Sequence, residues 1–147
     1  MNTSPDPMNS DENKIIEKAF YYHSKGDILK ASLYYKEFLD KGFSDQKVLL
    51  NYGIICQEYG NINSAIKLYE KSITLFPNSL EAYFNLGKLM RDLGRLDQAK
   101  IILLEAIRIN PNSEIAYDNM GVIYKDLGDL EKAEISTRKA IKINPKF

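Results

Sequence analysis

The chain has 147 residues, of which 44% are apolar and 27% are charged, and its 20 basic and 20 acidic residues give a net charge of zero. A chain of this length is expected to form one domain with a buried core. The balanced charge creates no overall field that attracts nucleic acid or an anionic membrane, so we expect neither as a partner. No stretch approaches the roughly 20 apolar residues that span a bilayer.

The N-terminal segment, MNTSPDPMNSDEN, is polar, contains two prolines and has no apolar core. These features predict neither a signal peptide nor a transmembrane segment, and we expect residues 1–11 to be a disordered leader. Cys56 is the only cysteine, so no internal disulfide can form. A single free thiol indicates a reducing compartment, and the predicted location is the cytoplasm.

From residue 12 onward, small and apolar residues recur every 34 positions. The series in register are Gly26, Gly60, Gly94 and Gly128; Ala31, Ala65, Ala99 and Ala133; Ala19, Gly53, Gly87 and Gly121; and Leu39, Ile73, Ile107 and Ile141. Prolines 77, 111 and 145 follow the same spacing. This periodicity predicts four tandem repeats, 12–45, 46–79, 80–113 and 114–147, which together form a domain over residues 12–147.

Each repeat is predicted to contain two helices, as the third repeat illustrates. Gly94 closes its first helix as a left-handed cap, and Asp97 is the predicted N-cap of its second helix. Pro111 ends that second helix because proline does not continue a helix. Gly87 and Ala99 are expected to face each other where the two helices cross closely.

The 34-residue unit, with Gly, Tyr or Leu, Ala, Ala and Pro at these offsets, resembles the tetratricopeptide repeat, notably in bacterial and cyanobacterial proteins. The resemblance implies an all-α fold, a right-handed α-solenoid of about eight helices in antiparallel pairs. The first repeat departs from the pattern at Ala19, Phe38 and Phe43, and atypical terminal repeats are common in such arrays.

The resemblance also implies that the first helices of the repeats line a concave groove. Asn51, Asn85 and Asn119 recur there, similar to the arm of the O-linked N-acetylglucosamine transferases, and their amides offer donors and acceptors to a peptide backbone. The alternative is that they only bridge neighbouring repeats. The predicted peptide-binding residues are Asn51, Asn85, Asn119, Phe84, Lys88, Arg91, Leu50, Ile54, Asp118, Val122 and Lys125.

Other functions find no support in the sequence. The basic and amide residues with which some family members clamp acidic chaperone tails are missing at the matching positions. His23 is the only histidine, and Cys56 falls on a buried face, where a small core residue is expected. No phosphate-binding glycine loop or metal-ligand spacing occurs, so we predict no enzymatic activity, no cofactor and no metal.

The predicted function is a non-catalytic scaffold that binds a peptide segment of a partner protein. One alternative is the N-terminal recognition arm of a larger glycosyl-, sulfo- or methyltransferase. A second alternative is a self-associating structural module. The last repeat lacks the extra helix that usually covers the end of such arrays, so Ile141, Ile143 and Ala140 are expected to be exposed and to support homo-oligomers.

Overall fold

The computed structural model describes the backbone of residues 7–146 and the side chains of residues 11–146. The helices are α1 Pro7–Ser24, α2 Ile28–Asp40, α3 Gln46–Glu58, α4 Ile62–Leu75, α5 Leu80–Asp92, α6 Leu96–Ile109, α7 Glu114–Asp126 and α8 Leu130–Ile143. Residues 7–146 contain no strand, which confirms the predicted all-α helical repeat. None of the helices in this range is long and apolar enough to cross a membrane.

The helix boundaries follow the predicted 34-residue period. Helices α3, α5 and α7 begin at residues 46, 80 and 114, the first positions of the second, third and fourth repeats. Helix α6 ends at Ile109, two residues before Pro111, as predicted. Helix α1 begins at Pro7, and proline suits the first position of a helix. Helix α1 thus overlaps residues 7–11 of the expected leader, and residues 1–6 lie outside the described range.

The turn between α5 and α6 shows how glycine closes each first helix. Gly94 has a φ of +72°, and the N–H of Arg95 donates to the carbonyl of Met90 at 2.8 Å, which completes the expected left-handed cap. The predicted N-cap at Asp97 is wrong, because α6 begins at Leu96 and Arg95 holds the cap position. Asp97 instead lies in the first turn, where its carboxylate pairs with Lys100 at 3.2 Å.

The chain divides into two compact units. Unit 1 is Met1–Leu68 and unit 2 is Tyr69–Phe147, so the boundary lies within α4. A repeat array allows such a division because each repeat contacts only its neighbours, and no single core gathers side chains from the whole chain.

The core of unit 1 is rich in aromatic side chains. Its buried members are Ile15, Ala19, Ala31, Tyr35, Phe38, Val48 and Ile55. The two phenylalanines that depart from the repeat pattern contact each other, since the rings of Phe38 and Phe43 lie 5.3 Å apart. The atypical first repeat therefore replaces a small residue and a proline with a packed aromatic pair.

Unit 2 contains a small buried cluster and a close contact between α5 and α6. Tyr83, Ala106 and Ala116 are buried together. A Cβ added at Gly87 would lie 3.2 Å from Leu103 and 3.8 Å from Ile102. These residues of α6, rather than the predicted Ala99, are its nearest neighbours. Gly87 thus faces one turn further along α6 than the sequence suggested.

Helix α8 buries little of its surface. Its buried side chains are Ser136 and Ala140, whereas Ile141 is 48% exposed and Ile143 is half-buried. The expected exposure is confirmed at Ile141. It is wrong at Ala140, which is 1% exposed because it lies on the face of α8 that packs on the preceding helix.

Candidate functional site

The three asparagines of the predicted row occupy three different environments, and that of Asn51 is the most constrained. In unit 1 its Nδ2 donates to the hydroxyl of Tyr35 at 3.3 Å. The same hydroxyl lies 2.7 Å from Nδ1 of His23. Tyr35 is fully buried, and this burial raises the pKa of its phenol. The Asn51 amide therefore joins consecutive repeats, which agrees with the bridging alternative for this position.

Asn85 and Asn119, both in unit 2, lack this arrangement. The Nδ2 of Asn85 is enclosed and finds no hydrogen-bond partner among the described residues. Asn119 is half-buried, and the residue sixteen positions before it is Leu103, where Asn51 has Tyr35. Leucine has no hydroxyl to accept from the amide, so the side chain of Asn119 is not held by the bond that fixes Asn51.

A recess of about 40 Å³ gathers four of the predicted residues in unit 2. Its walls come from α5, α6 and α7, and the predicted residues among them are Lys88, Arg91, Asn119 and Val122. Its remaining lining is Gly87, Leu103 and Ile123, all buried. The absence of a side chain at Gly87 keeps the recess open beneath the amide. The arrangement combines a hydrogen-bonding group, cations and an apolar base within one small depression.

The charges around the recess are not all available to a ligand. The Nε of Arg91 lies 2.5 Å from Oδ2 of Asp126, and this hydrogen bond holds the pKa of Arg91 above its usual value. Arg91 is therefore paired with an acidic side chain of the next repeat. Lys88 and Lys125 are exposed.

The apolar members of the predicted set differ in exposure. Leu50 is 2% exposed, so its assignment as a contact residue is wrong, since an enclosed side chain presents no surface to a peptide. Ile54 and Asp118 are half-buried. Phe84 is also partly buried, packed against the cluster that contains Tyr83.

Sequence reasoning missed two features. One is the Tyr35 hydroxyl, for which the tyrosines at 35 and 69, in register, were the available signal. The other is a cavity of about 210 Å³ in unit 1 beside Cys56. Cys56 is buried as predicted, and burial raises the pKa of its thiol. Within residues 7–146, no group of three or more His, Cys, Asp or Glu side chains is arranged to hold a metal ion.

Comparisons with known proteins agree with the repeat pattern. Two family models described as tetratricopeptide repeat match residues 57–120 and 115–147, together more than half of the chain. The uncharacterized protein YgeG of Escherichia coli (strain K12) is 34% identical over 65 residues, which span 44% of this chain and 40% of that relative.

Solved structures share the fold over nearly the whole chain. A MamA protein superposes with a TM-score of 0.82 at 29% identity, covering 92% of this chain and 74% of its own. YrrB, a tetratricopeptide repeat protein with an unusual peptide-binding site, superposes with a TM-score of 0.79 at 23% identity. That match covers 93% of this chain and 71% of YrrB, and at this identity it shows the fold alone.

Proposed function

Because this chain belongs to the tetratricopeptide repeat family and is a protein-interaction scaffold, we propose that it binds an extended peptide segment of a partner protein. The binding surface is the face of α5 and α7 around the recess in unit 2. YrrB, which shares the fold, has a peptide-binding site, and this supports the assignment of a peptide as ligand.

The observation that carries the proposal is the convergence of Lys88, Asn119 and Val122 on one recess. An amide offers a donor and an acceptor to a peptide backbone, whose own groups repeat regularly. The exposed ammonium of Lys88 suits a carbonyl or carboxylate, and the apolar side of the recess suits a small aliphatic side chain. Asp126 already neutralises Arg91, so the preferred peptide carries modest rather than strong negative charge.

Asn85 lies one turn before Lys88 on α5 and extends this surface. Its Nδ2 has no acceptor among the described residues. A buried donor without a partner destabilises the structure that contains it. Because this nitrogen is enclosed, only the remainder of the half-buried Asn85 side chain is open to a peptide. The half-buried Asn119 is therefore assigned to ligand contact, whereas Asn51 is assigned to the fold.

The test is an array of immobilised peptides of varied sequence, probed with the labelled full chain. Lys88→Ala and Asn119→Ala each remove one polar contact and are expected to weaken the best peptides about 5- to 10-fold. Lys71→Ala, which changes an exposed lysine on α4, is the matched control and should leave the array unchanged. Equal binding by all three variants, with unchanged helicity, would refute the assignment of this face.

The exposed side of α8 supports a second candidate, self-association. Leu130 is 68% exposed and Ile141 is 48% exposed, and eleven residues of spacing place them on one helical face. Their counterparts in α6, Leu96 and Ile107, are half-buried. Sedimentation across a concentration series should show dimers that Ile141→Lys abolishes, and a monomer at every concentration would exclude this candidate.

The proposed location is a reducing compartment, the cytoplasm. The reason is the single cysteine, which leaves no internal disulfide to form. Burial of Cys56 also keeps its thiol away from oxidants.

A further inference from the structure

Unit 1 contains a cavity of about 210 Å³ between α2 and α3. Ile55 and Cys56 form its inner wall and are 5% and 4% exposed. Leu29 and Tyr59 flank its mouth and are 75% and 61% exposed. None of the lining residues carries a charge. The cavity is therefore a mainly apolar pocket that opens between two exposed hydrophobic side chains.

The repeat pattern explains why the cavity is there. Cys56 occupies a position that the other repeats fill with Tyr22, Met90 and Tyr124. Each of these side chains is larger than cysteine, and Met90 is 5% exposed in its own repeat. The second repeat therefore lacks the side-chain volume that its sister repeats place at this position. Those repeats also show what kind of group fits there, a methionine or an aromatic ring.

The cavity lies on the opposite side of α3 from the predicted peptide-binding residues. Tyr52, Ile55, Cys56 and Tyr59 are spaced by three or four residues and form one helical face. At about 100° per residue, Asn51 and Ile54 point away from the centre of that face. Occupation of the cavity therefore leaves the face of α3 that carries Ile54 free.

We propose that this cavity, with its hydrophobic rim, is a socket for one uncharged apolar side chain of a protein partner. An apolar cavity of about 150 Å³ is large enough to hold benzene, so the volume accommodates leucine, methionine or phenylalanine. A charged side chain is excluded because it would lose its hydration without gaining a partner.

The rim indicates a protein rather than a free small molecule. Leu33 is 67% exposed and lies one turn after Leu29 on α2, outside the cavity itself. The exposed apolar surface thus continues past the mouth, beyond the reach of a ligand that only fills the pocket. Interfaces commonly combine one buried anchor side chain with such a surrounding contact area.

The socket is tested by NMR titration of the ¹⁵N-labelled full chain with Gly-Ser-X-Ser-Gly peptides, where X is leucine, methionine, phenylalanine, alanine or aspartate. The peptides with large apolar X are expected to shift the amides of Tyr52, Cys56 and Tyr59 saturably. The alanine and aspartate peptides should shift them at least several-fold less at equal concentration. Equal amide shifts with all five peptides, or larger shifts with alanine or aspartate, would overturn the proposal.

Two variants separate binding from folding. Cys56→Met restores the side chain that the third repeat carries and should reduce the leucine-peptide shifts at least 5-fold. Leu29→Lys changes an exposed residue at the mouth and should reduce them while leaving the melting temperature unchanged. Shifts that survive both substitutions would refute the socket. Binding of N-acetyl-leucine amide as tightly as the peptide would also refute it, because the site would then take a free small molecule.

Discussion

The Tyr35 hydroxyl is expected to stabilise the first two repeats through its bonds to His23 and Asn51. Tyr35→Phe keeps the ring in the core, where the side chain is fully buried, and removes only the oxygen. The substitution leaves Nδ1 of His23 and Nδ2 of Asn51 without their protein partner. Both residues are half-buried, so water replaces the lost bonds only in part.

The size of the effect follows from the two distances. A hydrogen bond contributes about 1 kcal/mol to folding, and the 2.7 Å bond to His23 is expected to exceed the 3.3 Å bond to Asn51. Tyr35→Phe should therefore lower the free energy of unfolding by ~1–2 kcal/mol. Asn51→Ala loses the weaker bond but gains ~0.5 kcal/mol of helix propensity, so its net cost is smaller.

The assay is urea unfolding of four proteins that form a double-mutant cycle: the parent chain, Tyr35→Phe, Asn51→Ala and the double variant. The double variant should be more stable than the sum of the single losses predicts, with a coupling of ~0.5–1 kcal/mol between Tyr35 and Asn51. Asn119→Ala is the control, because Leu103 offers that asparagine no hydroxyl, and its stability should stay within ~0.5 kcal/mol of the parent chain. Zero coupling between Tyr35 and Asn51 would refute the bridging role.

Two further predictions concern close packing and pH. A Cβ at Gly121 would lie 2.8 Å from Oγ1 of Thr137, so Gly121→Ala should lower the melting temperature, and adding Thr137→Ala should recover part of the loss. An equal loss in both variants would contradict this. Burial raises the pKa of Cys56 and of Tyr52, so the unfolded chain releases these protons at lower pH than the folded chain. The free energy of unfolding should therefore fall above a pH of about 8.5; an unchanged urea midpoint between pH 7.5 and 9.5 would contradict this.

The repeat period, the starts of three helices and the glycine caps were predictable from the sequence because each depends on local backbone preferences. The N-cap of α6 was misplaced by two positions because the cap position holds Arg95, whose side chain makes no capping bond. An acidic residue near the start of a helix does not by itself locate the N-cap, because here the left-handed turn at Gly94 determines where α6 begins.

The site was harder to predict because it depends on pairs of residues far apart in the chain. Spacing alone makes Asn51 and Asn119 equivalent. The Asn51 amide nevertheless finds the hydroxyl of Tyr35, whereas the matching residue for Asn119 is Leu103, which has no hydroxyl. Leu50 shares the stripe of Ile54 but is enclosed, a distinction that arises only when helices pack. The cavity beside Cys56 appears in the sequence as one small residue among larger ones, and its volume depends on how neighbouring helices close around it.

The sparse burial on α8 has a consequence for the dynamics of the chain. Its buried side chains, Ser136 and Ala140, contribute little apolar area, whereas α5 buries six residues. Helices with few buried contacts open locally at a lower free energy than the whole domain. Backbone amides of α8 should therefore exchange with deuterium sooner than those of α5. Helix α8 is then expected to open locally while the other helices remain folded.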